Sequence, residues 1–558
     1  MSPLASLTLS PEPFASRVRE AAARREVQQM VARLWQRDAA LWSRDAAVQQ
    51  QIRSRLGWLS IVGVMRSRAE EILAAAQEMR QAGFTHARLL GMGGSSLFAE
   101  VCRRTFGVAP GWLDLTVLDT TDPTAIAAAR QRVPLERTVF IVSSKSGTTT
   151  ESRTLCDYFY DQVRAQRGAE AGQQFIAITD TGTPLEAEAK ARKFRHVFVH
   201  GPATGQDVGG RFSALTCFGL VPAALLGIDI RRLLGRAQEM LDGCQPSVPS
   251  AQNPAVQLAL SWTQAASQGR DKLTLLSAPP LAPFGTWAEQ LVAESTGKSG
   301  TGLIPIDGEA LQEPSAYPHD RAFLELQLGT EPDARVAQHA EALARVGHPV
   351  IRVQWRDRDD LGGEAVRWFL ATALAATVMR INPFDEPNVQ EAKDRTNALL
   401  DRFAKDGKLP DGTPLLGTSP AAAETLGAFL RKAGAGDYVA VLSFLPRTDA
   451  NDQAVEALRR RIADSIRVVT TVGHGPRYLH SSGQLHKGGP DRVVAVVLTA
   501  DDPQDVPIPG RPYGFSVLKR AQALGDIEAL TERRRRLLHL HLGASPASAL
   551  ANLMEAFR

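Results

Sequence analysis

The chain has 558 residues, 44% of them hydrophobic and 22% charged, with a mean hydropathy of -0.15. At ~100–200 residues per domain, that length predicts roughly three or four lobes. The apolar fraction, and a net charge of only +4 from 64 basic and 60 acidic side chains, exclude a disordered chain and give no global electrostatic case for a nucleic-acid partner.

From Phe14 to about Met79 the sequence is rich in Ala, Arg, Gln and Glu, which predicts a helical N-terminal region over 1–75. Pro3, Pro11 and Pro13 followed by charged residues leave no secretory h-region. Short apolar runs then alternate with helical stretches: Ala87–Gly91, Leu113–Leu118, Thr138–Val142, Phe175–Thr179 and His196–Val199 in a first lobe, 76–245. Leu215 to Ile230, the longest apolar stretch, contains Pro222 and is too short to span a membrane. A second lobe, 246–405, carries the runs Leu273–Leu276, Leu303–Ile306, Phe323–Leu328 and Val350–Gln354. Its helix after Gly363 sets Val366, Phe369, Leu370 and Ala373 at i, i+3, i+4, i+7 on one buried face. The Pro- and Gly-rich segment Pro410 to Pro420 reads as a linker to a smaller third lobe, 406–558, with runs Tyr438–Phe444, Ile466–Thr471, Val493–Leu498 and Leu537–Leu542. The expected fold class is α/β, with doubly wound parallel sheets in three-layer αβα lobes. Cys102, Cys156, Cys217 and Cys244 lack C-x-x-C spacing, so reduced thiols in a cytoplasmic protein are expected, and no zinc site.

Ligands of such sheets bind beyond the carboxyl ends of the strands. After the first run stands Gly91-Met92-Gly93-Gly94-Ser95-Ser96, where glycines admit a close anion at a helix start, although many βα turns carry two glycines for geometry alone. The third run ends in Ser143-Ser144-Lys145-Ser146-Gly147-Thr148-Thr149-Thr150-Glu151. An N-cap needs one or two hydroxyls; this density around a Gly and a Lys favours a phosphate cradle, and it is not a Walker A loop. Gly209-Gly210-Arg211 can aim a planar donor fork at an oxyanion, or make a surface ion pair, with equal ease. In the second lobe Gln290 and Glu294 share a helix face, and Gly297 marks the helix end. A carboxylate at a helix C-terminus has a raised pKa, which suits a general base; a solvated Glu is the plainer alternative. Phe384-Asp385-Glu386-Pro387 leads into a helix bearing Lys393. The basic run Arg533–Arg536 closes a predicted helix, where cations favour the dipole. His474, His480 and His486, at i, i+6 in a Gly-rich loop, match no common zinc pattern.

In order and combination, Gly93-Gly94-Ser95, Ser144-Lys145-Ser146-Gly147-Thr148-Thr149, Gly209-Gly210-Arg211, Glu294-Ser295-Thr296-Gly297-Lys298 and Phe384-Asp385…Lys393 resemble the phosphoglucose isomerases over roughly residues 60 to 400. The first two motifs mark the wider sugar isomerase (SIS) fold. Pro476-Arg477-Tyr478-Leu479-His480…Gln484-Leu485-His486-Lys487 and Pro512-Tyr513-Gly514-Phe515 resemble the isomerase part of bacterial transaldolase–phosphoglucose isomerase fusions. Residues 1–60 are too short for the ~250-residue barrel of the other part.

The resemblance implies interconversion of glucose 6-phosphate and fructose 6-phosphate through a cis-enediol, in a cytoplasmic homodimer that uses no cofactor, metal, nucleic acid or membrane. It implies that Glu294 is the base, Arg211 stabilises the enediol oxygens, and Ser95, Ser144, Ser146 and Thr149 grip the phosphate. Gly94, Lys145, Thr148, Gly210 and Gln290 complete the expected substrate contacts. A non-catalytic sugar-phosphate-binding regulator and an isomerase of another hexose phosphate are the alternatives. In the family a His and a Lys open the sugar ring. Lys393 matches the Lys, but the usual Gly-Gln-His segment is missing between Glu294 and Phe384, where His319 and His348 are the only histidines. Ser482-Gly483-Gln484-Leu485-His486 echoes it, so His486 is the expected acid, supplied across a dimer interface, with His480 and His319 as the other choices. Glu386 stands where the family pattern has Gln.

Overall fold

The computed structural model describes residues 4–201, 207–410, 412 and 414–555. Its strands are β1 (Ser6–Ser10), β2 (His86–Gly91), β3 (Asp114–Leu118), β4 (Thr138–Ser143), β5 (Phe175–Asp180), β6 (His196–His200), β7 (Lys272–Ser277), β8 (Ile304–Ile306), β9 (Arg321–Leu328) and β10 (Val350–Trp355), followed by β11 (Leu415–Leu416), β12 (Tyr438–Phe444), β13 (Val469–His474), β14 (Val493–Thr499) and β15 (Arg536–His541). They form three five-stranded sheets, β3-β2-β4-β5-β6, β8-β7-β9-β10-β1 and β13-β12-β14-β15-β11. Every residue of β4 and β12 is buried, as expected for parallel strands covered by helices on both faces.

The three sheets share one winding. In each, the lobe's first main strand (β2, β7 or β12) lies between its second on one side and its third and fourth on the other. The chain therefore reverses direction between β2 and β4, β7 and β9, and β12 and β14, and such switch points open crevices at the strands' carboxyl ends. The third lobe has as many strands as the other two.

Three segments behave differently from the sequence reading. Ser6–Ser10, inside the expected helical region, pairs antiparallel with β10, Leu7 opposite Val353. Its Ser-Leu-Thr-Leu-Ser alternation is the period-2 signal of a strand. The expected linker supplies β11, which pairs parallel to β15 with Leu415 opposite Leu540 and so covers an edge of the third sheet. The helix Asp360–Met379 is buried all round in its first four turns, not on one face only, because helices Ile230–Gly243 and Pro254–Ala266 pack on it. A Cβ on its Gly362 would lie 2.0 Å from the carbonyl oxygen of Leu233, so only glycine permits this crossing.

One hydrophobic core joins the N-terminal helices to the first two lobes. Another binds the first lobe to the third: Phe140, Phe159 and Leu155 share it with Phe515, Leu518 and Leu524 of the helix Phe515–Glu532. That apolar seam brings third-lobe residues to the mouth of the first sheet. No described helix is long and apolar enough to cross a membrane.

Candidate active site

Gly91, the last residue of β2, lies opposite Ser143, the last of β4, so the two loops read from the sequence leave the first sheet side by side. The Ser143 hydroxyl donates to the carbonyl of Ser95 at 2.8 Å. Gly93 has φ of +52°, and a Cβ there would lie 2.7 Å from the His480 carbonyl oxygen and 2.8 Å from Nε2 of Gln290. A Cβ on Gly94 would lie 1.9 Å from the carbonyl oxygen of Gly210. The glycines thus let the first loop, the Arg211 turn, the Gln290 helix and the third lobe meet. In the second loop Ser144 donates to Thr149 at 2.9 Å, and the hydroxyls of Ser146 and Thr148 are 2.9 Å apart. This loop opens the helix Thr150–Arg167, whose cap residue Thr149 makes no side-chain cap hydrogen bond, and the positive end of a helix favours an anion.

A cavity of about 260 Å³ lies over that helix start. Ser146, Thr148 and Thr149 line one part of it, Lys393 from the helix Pro387–Asp406 another, and Glu151, His480 and Gln522 a third. His480 Nε2 is 2.9 Å from Glu151 Oε1, and Gln522 donates to the same oxygen at 2.7 Å. Burial pushes the Glu151 carboxyl up, but the charge and hydrogen bond of His480, helped by the backbone N–H of Glu151 and the charge of Lys393, hold it below the usual carboxylate range.

Behind this wall lies the second set. Gln290 Nε2 donates to the His480 carbonyl at 2.8 Å and to Glu294 at 3.1 Å. Glu294 Oε1 is 3.2 Å from Arg211, whose guanidinium also reaches Ser295 at 2.9 Å, Glu386 at 3.1 Å, and the carbonyls of Pro383 and Asp385. Burial raises the Glu294 pKa, Arg211 opposes the rise and Glu386 adds to it; the net shift is upward. Burial, then the charge of Arg211, lowers Lys298 to about 8 despite its ion pair with Asp385. A base with a raised pKa beside a fixed guanidinium can carry a proton between two carbons while the cation steadies the oxyanion that forms.

A family model described as phosphoglucose isomerase matches residues 60–316. Glucose-6-phosphate isomerase from Geobacter sp. (strain M21) is 28% identical over 360 residues, 57% of this chain and 66% of that one. Probable glucose-6-phosphate isomerase from Haloarcula marismortui is 28% identical over 355 residues, covering 57% and 78%. Over these stretches the chain is similar to the phosphoglucose isomerases. The solved structure of a glucose-6-phosphate isomerase from Chlamydia trachomatis shares the fold, with a TM-score of 0.53 at 18% identity over 74% of this chain and 88% of that one. The stretch matched by the family model holds the cradle, Arg211 and Glu294, but neither Lys393 nor the third lobe.

Set against this family, the structure brings together Gly94, Ser95, Ser144, Ser146, Thr148, Thr149, Gly210, Arg211, Gln290, Glu294 and Lys393. Two expected residues stand apart. Lys145 does not line the cavity; its ammonium pairs with Asp180 at 2.7 Å and Asp207 at 2.8 Å, because the loop turns its side chain toward the ends of β5 and β6. His486 lies in the core of the third lobe, its Nδ1 2.9 Å from the Tyr438 hydroxyl, and burial lowers its pKa to about 3. The Leu485–His486 helix turns inward to pack on Gly297, and it is His480, six residues earlier, that reaches the cavity. His319 and His348 lie beside each other in the second lobe, 6.4 Å between ring centroids, and neither lines the cavity. Sequence reasoning gave no role to Glu151 or Gln522. Glu151 closes the quoted hydroxyl-rich run and could have been found there; Gln522 carries no local signal.

Proposed function

We propose that this protein interconverts D-glucose 6-phosphate and D-fructose 6-phosphate, serving glycolysis and gluconeogenesis in the cytoplasm. The observation that carries the reading is the continuity of the two sets: His480, paired with Glu151 on the cavity wall, is linked by its carbonyl and Gln290 to the Glu294–Arg211 pair. A non-catalytic sugar-phosphate binder would use the hydroxyl cradle and leave this second set without a purpose.

In this reading Ser144, Ser146, Thr148 and Thr149 hold the phosphate, and that remote grip fixes the carbons to be altered, which is worth several kcal/mol. His480 gives a proton to the ring oxygen as the bond from C1 to that oxygen breaks, and the C1 hydroxyl beside Lys393 releases its proton to solvent as the C1 carbonyl forms. Glu294 takes the proton from C2, Arg211 stabilises the developing enediolate, and Glu294 returns the proton to C1. The buried Gln290 Oε1, which has no hydrogen-bond partner among the described residues, can receive a substrate hydroxyl. The family's homodimer belongs to the reading too, but the acid–base set is drawn from one chain.

The test is a coupled assay of the purified protein with fructose 6-phosphate and no added cofactor. Turnover that falls by at least ~100-fold in Glu294→Gln is expected. Absence of turnover in the wild type, or a fully active Glu294→Gln, overturns the reading.

A further inference from the structure

We infer that Gln522, contributed by the third lobe, is a positioning residue for ring opening that acts through Glu151 on His480. The inference rests on the isomerase reading above and assigns a residue that the family-model match, ending at 316, does not reach.

Gln522 is 4% exposed, in the middle of the helix Phe515–Glu532. Its amide lies between two fixed partners: Nε2 is 2.7 Å from Glu151 Oε1, and Oε1 is 2.7 Å from the fully buried Thr121 hydroxyl. A carboxylate only accepts, so the NH₂ end must face Glu151, which leaves the amide oxygen to receive the Thr121 proton. The same Glu151 oxygen takes the Nε2–H of His480, which leaves Nδ1 as the nitrogen that, in the imidazolium form, gives its proton to the ring oxygen and takes one back on ring closure. Gln522 therefore does two things. It stabilises the carboxylate form of a buried acid, and it fixes that carboxylate so that the imidazole plane is set. A protonated or swivelled Glu151 would leave the His480 imidazolium without its anionic partner or wrongly oriented.

The charged groups facing Glu151 are His480 from the turn Arg477–His480 and Lys393 from the helix Pro387–Asp406. On the Gln522 helix, Lys519 one turn back is held by Asp122 and Asp502. Gln522 is thus the neutral donor that completes the carboxylate's shell.

Ring opening can be read separately from proton transfer between carbons. Anomer exchange of glucose 6-phosphate, followed by NMR, needs only the first; exchange of the C2 proton with solvent needs both. Gln522→Met keeps the bulk and removes the donor. It should slow anomer exchange by ~10-fold or more, part of the ~10²–10⁴ that the acid itself contributes. KM should stay within about twofold. Because Glu151 loses a donor to its charged form, the acid limb of the anomerisation profile should move to higher pH, and further still in Gln522→Glu. Thr121→Val, which removes only the hydroxyl that orients the amide, should act in the same direction and more weakly, and it serves if Gln522→Met does not fold. Wild-type anomer exchange and an unshifted acid limb in the folded variants overturn the inference while leaving the isomerase reading intact. Loss of both exchange rates in proportion to a loss of folded protein also overturns it, by giving Gln522 a merely structural role. A wild type with neither activity overturns both.

Discussion

Glu151 and His480 are 329 residues apart in the chain, stand in different lobes, and meet at 2.9 Å. The pairing holds only while the third lobe stays docked on the first, and buried ion pairs add to the apolar seam that docks them. Lys519 bridges to Asp122 at 2.8 Å, with both side chains almost fully covered, and Arg477, three residues before His480, reaches Asp119 at 3.2 Å. The lobe that carries no recognised phosphate loop thereby contributes the imidazole of the site.

Replacing the two candidate histidines separates their roles. His480→Ala should lower kcat/KM for fructose 6-phosphate by ~100-fold or more, the loss expected of a general acid. His486→Ala should leave that constant near wild type and lower stability by ~1–3 kcal/mol, because it strands the buried Tyr438 hydroxyl. Steady-state kinetics and urea unfolding of the two variants are the measurements.

The pH profile should report Glu386. Its charge pushes the Glu294 pKa up, so Glu386→Gln lets that pKa fall. A base works when deprotonated, and activity is lost as pH drops through its pKa. The acid limb of kcat/KM for the variant should therefore move to lower pH. A limb that stays or rises would show that Glu294 is not the group titrating there.

Lys145 should matter for stability more than for the substrate. Lys145→Met leaves Asp180 and Asp207 without their shared cation. The cost should be about 1–2 kcal/mol, below the ~3–5 of a fully buried pair because the lysine side chain is 23% exposed. Its KM for fructose 6-phosphate should rise less than that of Thr149→Val.

Two glycines of the Arg211 region should respond oppositely to a methyl group. Gly94→Ala drives a Cβ into the Gly210 carbonyl, 1.9 Å away, and should cost at least ~1–3 kcal/mol and much of the activity. Gly210→Ala meets nothing within 4 Å and should be close to neutral. Thermal melts and fructose 6-phosphate turnover of the pair decide it.

The sheets were legible because parallel strands buried on both faces are written as continuous apolar runs. Phe175-Ile176-Ala177-Ile178 and Val493-Val494-Ala495-Val496 name themselves, and the structure extends these two runs by one residue each, whereas the run expected from Ile466 begins only at Val469, Ile466 being the last residue of the preceding helix. β1 and β11 were hidden because short edge strands draw their pairing from a partner far along the chain, Val353 for Leu7 and Leu540 for Leu415. The cradle could be read from its hydroxyls, whereas Arg211, Glu294 and Lys393 stood out only through the resemblance to a family pattern, since alone each reads equally as an ion pair or a solvated side chain.

Periodicity and loop chemistry, which act over a few residues, are enough for the three α/β lobes and the hydroxyl-rich loop. Only the tertiary structure decided between His480 and His486, turned Lys145 toward Asp180 and Asp207, and joined Gln522 to Glu151. Those outcomes depend on which side chains the apolar seam between the first and third lobes carries to one place, and no local pattern encodes that.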